Sequence, residues 1–425
     1  MLAFIMAGGK GTRISSVASD IPKPMIRVCG KPVLEHQIEC LQRQGITELI
    51  LSIGHLGNII QDYFQDGHRW GVEISYYQEE QPLGTAGAVI AMKGRLLEDF
   101  LLLNGDLILD MDFGRMLAFH REHSALVTLA SHPNGHPYDS ALLVIGEQNQ
   151  VTQWLNKEDP RRFYKNQVNA GVQLVSPEAL TQFNEIKKAD LDRDVIRPLI
   201  DTGRIYAYDT TEYIKDMGTP DRYAAVCKDV ETGLVQSRNL SQKQRAVFLD
   251  RDGVINVHKG FLTRSEEMEL LPGAAEGIRR INAAGYLAVV VTNQPVIARG
   301  ECSWAQLNEI HNAMETMLGA EGAYVDGIFL CPHHPHKGFP GEVAEYKIDC
   351  DCRKPKPGLL LQAAAQYHID LERSYMVGDS PSDIQAGRAA GCQTVYIGNL
   401  ADTKIENTAC YSSLLAFVES VLAAE

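Results

Sequence analysis

Short apolar runs alternate along the chain with segments in which apolar residues recur every three to four positions. Runs at 2–6, 48–53, 73–77 and 100–103 read as strands, and 34–44, 58–64 and 86–92 carry the helical period. This is the strand–helix–strand rhythm of a mostly parallel sheet. The stretch 231–245, ETGLVQSRNLSQKQR, is polar and has no apolar period. The rhythm then restarts with a strand at 246–249, a helix at 274–284, a strand at 287–291, a helix at 359–366, a strand at 374–377 and an amphipathic helix at 414–423. The expected fold class is α/β: two doubly wound domains, 1–230 and 245–425, joined by a linker at 231–244.

Open sheets of this kind bind ligands at the carboxyl ends of their strands. Strand 246–249 leads into Asp250-Arg251-Asp252-Gly253, where a period of two sends both carboxylates one way and Arg251 the other. Crowded anions repel unless a cation compensates, which points to a divalent ion and phosphate chemistry. A calcium loop or an exposed turn fits the same four letters. Two later strand ends deliver Thr292-Asn293-Gln294 and Asp379. The first strand of the chain exits into Gly8-Gly9-Lys10-Gly11-Thr12-Arg13, with Lys23 following in IPKPM. Such glycines let backbone amides approach a polyphosphate, and Arg13 and Lys23 can neutralise it. Neither the dinucleotide fingerprint, which needs glycine where Ile14 stands, nor a P-loop, which needs Lys10 after Gly11, is satisfied.

At 425 residues the chain is long enough for two or three domains, and 45% hydrophobic with 22% charged residues is ordinary globular composition. A net charge of -14 argues against general nucleic-acid binding, so a phosphate-bearing ligand must be held by local lysines and arginines. No run approaches the ~18 apolar residues of a membrane span, and the first strand lacks the basic flank of a signal peptide. Small-molecule substrates, no membrane partner and a cytoplasmic location are expected. Of nine cysteines, Cys29, Cys40, Cys227, Cys302, Cys392 and Cys410 are scattered, as reduced thiols would be. Cys331, His333, Cys350 and Cys352 have the composition of a tetrahedral zinc site, although their spacing also fits unliganded thiols, and His334 is a competing ligand.

Gly-x-Gly-Thr-Arg at 9–13, Pro-Lys-Pro-Met at 22–25, Pro82-Leu83-Gly84-Thr85-Ala86-Gly87, Asn104-Gly105-Asp106, Asn169-Ala170-Gly171-Val172 and Asp216-Met217-Gly218 together resemble the sugar-phosphate nucleotidyltransferases. The resemblance spans roughly residues 1–230 and implies a Rossmann-like sheet. It implies that Gly8, Gly9, Gly11, Thr12 and Arg13 hold the triphosphate, that Lys23 meets the reacting phosphates, and that Gly84 and Thr85 lie near the base. Asp106 and Asp216 would bind magnesium, the lesser alternative for Asp106 being a helix cap. Lys157, Asn169 and Gly171 would face the sugar. Where relatives carry Glu-Lys before a proline, this chain reads Asn156-Lys157-Glu158-Asp159-Pro160, which leaves open whether Asn156 or Glu158 touches the sugar. The heptose 1-phosphate guanylyltransferase branch is the most similar, which implies GTP.

Asp250 with Asp252, Thr292, Lys354 and Asp379 make up, in order, the four-part pattern of the haloacid dehalogenase phosphatases, which the second half resembles. That resemblance makes Asp250 the nucleophile and Asp252 the acid and base. Thr292, Asn293 and Lys354 would hold the phosphoryl group. Magnesium would be bound by Asp250, Asp379 and the Asp252 carbonyl, with Asp383 as a buttress. Cys-x-His with Cys-x-Cys is similar to the zinc loop of the histidinol and heptose bisphosphate phosphatases, implying structural zinc on Cys331, His333, Cys350 and Cys352. Arg353 would follow that loop into the substrate pocket or remain a surface cation.

The two halves then read as consecutive steps, removal of the C7 phosphate from a heptose 1,7-bisphosphate and nucleotidyl transfer to the 1-phosphate, with the α anomer expected. A transferase for another sugar fused to a different phosphatase, or a binding protein with dead sites, are the alternatives.

Overall fold

The computed structural model describes residues 1–8, 21–183, 185, 188–399 and 408–422. It divides into two compact units, one formed by Met1–Ser131, Leu143–Leu155 and Asn169–Leu240, the other by His132–Leu142, Asn156–Val168 and Ser241–Glu425. Among the described residues, no helix is long and apolar enough to cross a membrane.

In the first unit Leu2–Met6 lies parallel to both Glu48–Ile53 and Phe100–Asn104, and Glu48–Ile53 lies parallel to Glu73–Gln78. Ala3, Phe4 and Ile5 are fully buried, as strands covered on both faces must be. The parallel order stops at Phe100–Asn104, because Val168–Val175 runs antiparallel beside it. The apolar run VNAGVQLV carries no mark of direction, so the alternating pattern could not show this reversal.

The stretch expected as a linker folds onto the first unit. Helix Pro220–Glu231 ends at its start, and the turn Leu234–Ser237 buries Val235 with Ile26, Val28, Met217 and Val226. Two adjacent apolar residues are too few to register as a helical period, which is why the sequence hid them. Glu212 clamps the end of this unit: its carboxylate accepts the N–H groups of Asp112 (2.7 Å) and Leu240 (3.0 Å) and the Thr210 hydroxyl (3.0 Å). Burial pushes the Glu212 carboxyl up to about 7 against the pull of those three donors.

The second unit is a parallel sheet in the order Gly327–Cys331, Leu287–Asn293, Ala246–Leu249, Tyr375–Gly378, Gln393–Ile397, Ala409–Tyr411. Val247, Phe248, Val289, Val291, Met376 and Val377 are fully buried between helices such as Ala274–Ala283 and Gly358–Tyr367. The central strand is flanked by the two whose ends carry Thr292 and Asp379. The three expected motifs therefore meet along one edge of the sheet. Segments His132–Leu142 and Asn156–Val168 join this unit on helix Trp304–Ala320, where the Tyr164 N–H donates to the Thr316 hydroxyl (3.0 Å).

Glu212 is a buried acid whose carboxyl ionises less readily folded than unfolded. The stability of its protonated form is complete below the usual carboxylate pKa and is lost as pH rises toward about 7. Glu212→Gln keeps an acceptor for both N–H groups without the charge. Its thermal midpoint relative to wild type should rise between pH 4.5 and 8; a difference independent of pH would refute the assignment.

Candidate functional site

Each carboxylate of the second unit stands where a buried strand ends. Asp250, Asp379 and Asp383 bring one oxygen each to within 4.8 Å of one another. Lys354, almost completely buried, is the counter-charge: its ammonium reaches Asp250 (2.9 Å), Asp383 (2.6 Å) and the Val291 carbonyl (2.8 Å). All three ammonium protons are thereby used. To reach a phosphoryl oxygen, Lys354 must release one of these partners. Burial disfavours the ammonium, but Asp250 and Asp383 outweigh it and hold Lys354 charged. Burial also pushes the Asp250 carboxyl up to about 7, with Asp383 adding to the rise and Lys354 opposing it. Burial and then Asp383 raise Asp379 as well. Three carboxylates facing one lysine leave an excess of negative charge among hard oxygen donors, which fits a magnesium ion.

The Asp252 carboxylate is not one of that group. It accepts two bonds from Arg251 (2.8 and 3.0 Å), one from Asn256 (2.9 Å) and one from Gln294 (3.0 Å). Burial alone would raise its pKa, but Arg251 with the two amides holds it below the usual carboxylate range. Only the Asp252 carbonyl is left for the expected metal role. Gly253 has φ +84°, and a side chain there would run into Asp379. Thr292 accepts the Gln294 amide (2.9 Å). Asn293 spends both ends of its amide on the Lys354 backbone (3.1 Å each), so it holds the lysine in place.

Strand Gly327–Cys331 delivers Cys331 to His333, Cys350 and Cys352. Cys331 and Cys352 lie 3.5 and 3.3 Å from the Cys350 sulfur, and the His333 Nδ1 lies 3.6 and 3.3 Å from Cys331 and Cys352. A tetrahedron with bonds of about 2.3 Å has edges of about 3.8 Å, so four soft donors at this spacing fit a closed zinc site. His334 stands outside the group, with its Nδ1 on the His336 carbonyl (3.3 Å). Arg353 donates to the His333 carbonyl (3.0 Å), which ties it to the loop.

In the first unit Lys23 and Asp106 form an ion pair. Asp216 is held by Arg222 (3.0 Å) and the Gly218 N–H (2.6 Å). Burial works to raise the Asp216 carboxyl, but Arg222, Gly218 and Lys23 bring it below the usual range. Lys23 thus acts on both carboxylates. Gly8 approaches Glu79, which also accepts the Ser52 hydroxyl (2.8 Å) and the Leu83 N–H (3.0 Å). Gly84 (φ +76°) sits against the Ala189 carbonyl, and Thr85 donates to Asp190 (3.3 Å) and accepts the Leu191 N–H (2.7 Å). Gly171 (φ +77°) leaves room for the Asn104 amide and donates to Asn169 (3.2 Å). Lys157 is exposed, pairs only loosely with Glu158 (3.7 Å), and falls in a segment grouped with the second unit. Gly9, Gly11, Thr12 and Arg13 lie outside the described residues.

Sequence reasoning missed Arg222, His311 and the Asn256 and Gln294 amides. Arg222 follows Asp216 by six residues and Asn256 follows Asp252 by four, within reach of a turn. Nothing in the letters shows which polar residues turn inward.

A family model described as nucleotidyl transferase matches residues 2–233, and a HAD-hydrolase-like model matches 351–409. The D-glycero-beta-D-manno-heptose-1,7-bisphosphate 7-phosphatase of Salmonella typhi is 42% identical over 167 residues, covering 39% of this chain and 87% of the relative. That of Pasteurella multocida is 44% identical over 148 residues, covering 35% and 77%. Among solved structures, a D,D-heptose 1,7-bisphosphate phosphatase from B. bronchiseptica complexed with magnesium and phosphate is 37% identical, covers 43% of this chain and 100% of its own, and has a TM-score of 0.38. HddC from Yersinia pseudotuberculosis complexed with GMP-PN is 26% identical, covers 54% and 99%, and has a TM-score of 0.48. The chain belongs to the nucleotidyl transferase family through residues 2–233 and also belongs to the family of these 7-phosphatases.

Proposed function

We propose that the chain removes the C7 phosphate of a D-glycero-D-manno-heptose 1,7-bisphosphate and transfers GMP from GTP to the heptose 1-phosphate, releasing pyrophosphate and GDP-heptose. The observation that carries this reading is the Asp250–Asp379–Asp383–Lys354 cluster, in a chain that over 167 residues is 42% identical to a heptose bisphosphate phosphatase and that carries a transferase family match.

In the phosphatase step an Asp250 oxygen attacks phosphorus as the bond from phosphorus to the C7 oxygen breaks, and Asp252 gives its proton to the departing oxygen. Water then attacks the aspartyl phosphate and Asp252 takes its proton, so inorganic phosphate leaves and Asp250 is regenerated. Thr292 and Lys354 orient the phosphoryl oxygens, and Arg353 binds the sugar phosphate. In the transferase step the sugar 1-phosphate oxygen displaces pyrophosphate from the α-phosphorus of GTP. Arg13 and Lys23 spread the developing charge while Gly8, Gly9, Gly11 and Thr12 hold the triphosphate, Gly84 and Thr85 the base side, and Asn169 and Gly171 the sugar. Magnesium, held by Asp250, Asp379 and the Asp252 carbonyl in one unit and by Asp106 and Asp216 in the other, would supply positive charge against the phosphoryl groups. In the first unit the ligand's own phosphates bring the negative charge that recruits it, because Lys23 and Arg222 already balance Asp106 and Asp216. Zinc on Cys331, His333, Cys350 and Cys352 would be structural, fixing the strand end beside Arg353 and Lys354.

The test is to supply each anomer of heptose 1,7-bisphosphate with each nucleoside triphosphate in turn and follow phosphate, pyrophosphate and nucleotide-sugar mass. GDP-heptose from the α anomer with GTP is expected. Phosphate release without nucleotide sugar from any triphosphate would end the coupled reading, and preference for the β anomer, for which the relatives are named, would separate the two steps.

Metal analysis of protein purified without chelator should find about one zinc per chain; under half an equivalent would remove the zinc assignment. Lys354→Met should abolish phosphatase activity and leave Asp250 and Asp383 uncompensated, a loss of roughly 3–5 kcal/mol. Its melting point should therefore fall further in EDTA than in magnesium; equal falls would show that the carboxylates take no metal.

A further inference from the structure

Among the described residues Arg251 is the largest fully buried side chain, at 0% exposure, yet it lies next to a nucleophile that must meet solvent-borne substrate. A buried guanidinium is costly unless its partners are fixed. Its NH2 group makes both bonds to Asp252 (2.8 and 3.0 Å), and its NH1 lies 3.3 Å from Nε2 of His311, on helix Trp304–Ala320. His311 is itself buried, and burial followed by Arg251 pushes it down to about 3, so the ring is neutral and Nε2 accepts from the guanidinium. The guanidinium is planar. Fixing NH1 from behind therefore fixes where NH2 points, and with it the plane of the Asp252 carboxyl.

We infer that His311 and Arg251 are positioning residues for proton transfer by Asp252: the helix Trp304–Ala320 sets the guanidinium through His311, and the guanidinium aims the Asp252 carboxyl at the leaving oxygen. This rests on the phosphatase reading above. His311 touches neither substrate nor metal cluster, and its effect reaches the reaction only through Arg251. The step it serves is the transfer of the Asp252 proton to the sugar oxygen as the bond from phosphorus to that oxygen breaks. A leaving group that departs as a stable anion does not need that proton.

Leaving-group dependence is therefore the test. kcat/KM reports the steps up to departure of the leaving group and is compared between a sugar phosphate and p-nitrophenyl phosphate in the full chain with magnesium. For His311→Leu, kcat/KM on the sugar phosphate should fall about tenfold or more, while that on p-nitrophenyl phosphate stays within about twofold. His311→Gln, whose amide oxygen can accept from Arg251, should recover most of the loss. Equal losses on both substrates, or no loss on either, would overturn the inference. If His311→Leu does not fold, the same comparison on His311→Gln and Arg251→Lys decides it, the lysine variant showing the selective loss. Asp252→Asn is the control for the underlying reading: if it loses both substrates equally, Asp252 is not the acid and the phosphatase reading itself fails.

Discussion

One ammonium group holds the second unit's chemistry together. Lys354 lies in the interior against two carboxylates and the end of a buried strand, where an uncompensated charge would cost several kcal/mol. Everything around it keeps it there. Asn293 clips its backbone from the neighbouring strand end, and the cysteine-rich loop turns the chain so that Arg353 and Lys354 follow Cys350 and Cys352. Asp383 makes the second ion pair while its other oxygen accepts the Ser380 hydroxyl (2.6 Å) and N–H (3.0 Å), which seats the start of helix Pro381–Ala390. Asp250 is thus placed by the charge balance that makes the interior tolerable.

The sheet edge was legible because strand ends can be read from apolar runs. Ala246–Leu249, Leu287–Asn293 and Tyr375–Gly378 fall where the pattern puts them, and the motifs are the residues that follow. The cysteine and histidine group was legible from residue type only together with the resemblance, and the residues that converge are Cys331, His333, Cys350 and Cys352, without His334. Direction was not legible: nothing in VNAGVQLV tells antiparallel from parallel. The period of two sent Arg251 the opposite way from Asp250 and Asp252, but it did not show that a charged residue would be fully buried there. Asp252 reads as a twin of Asp250, yet it accepts four hydrogen bonds from three nitrogens, one each on Arg251, Asn256 and Gln294.

The same physics gives the two carboxylates opposite characters. Asp250 faces two other carboxylates and one lysine, so burial dominates and its proton is held more tightly. Asp252 is as near in sequence as strand geometry allows, but a guanidinium and two amides face it, and its anion is favoured. These directions are the reverse of those the proposed roles require: a cation beside Asp250 would release its proton, and Asp252 must take up a proton before it can donate one.

The path of the chain has a mechanical consequence. It passes from one unit to the other after residues 131, 142, 155, 168 and 240. Two domains fused end to end would share a single covalent junction, and either could loosen while the other stood firm. Here five junctions divide the first unit into three pieces, so opening either unit pulls on strands and loops rooted in the other.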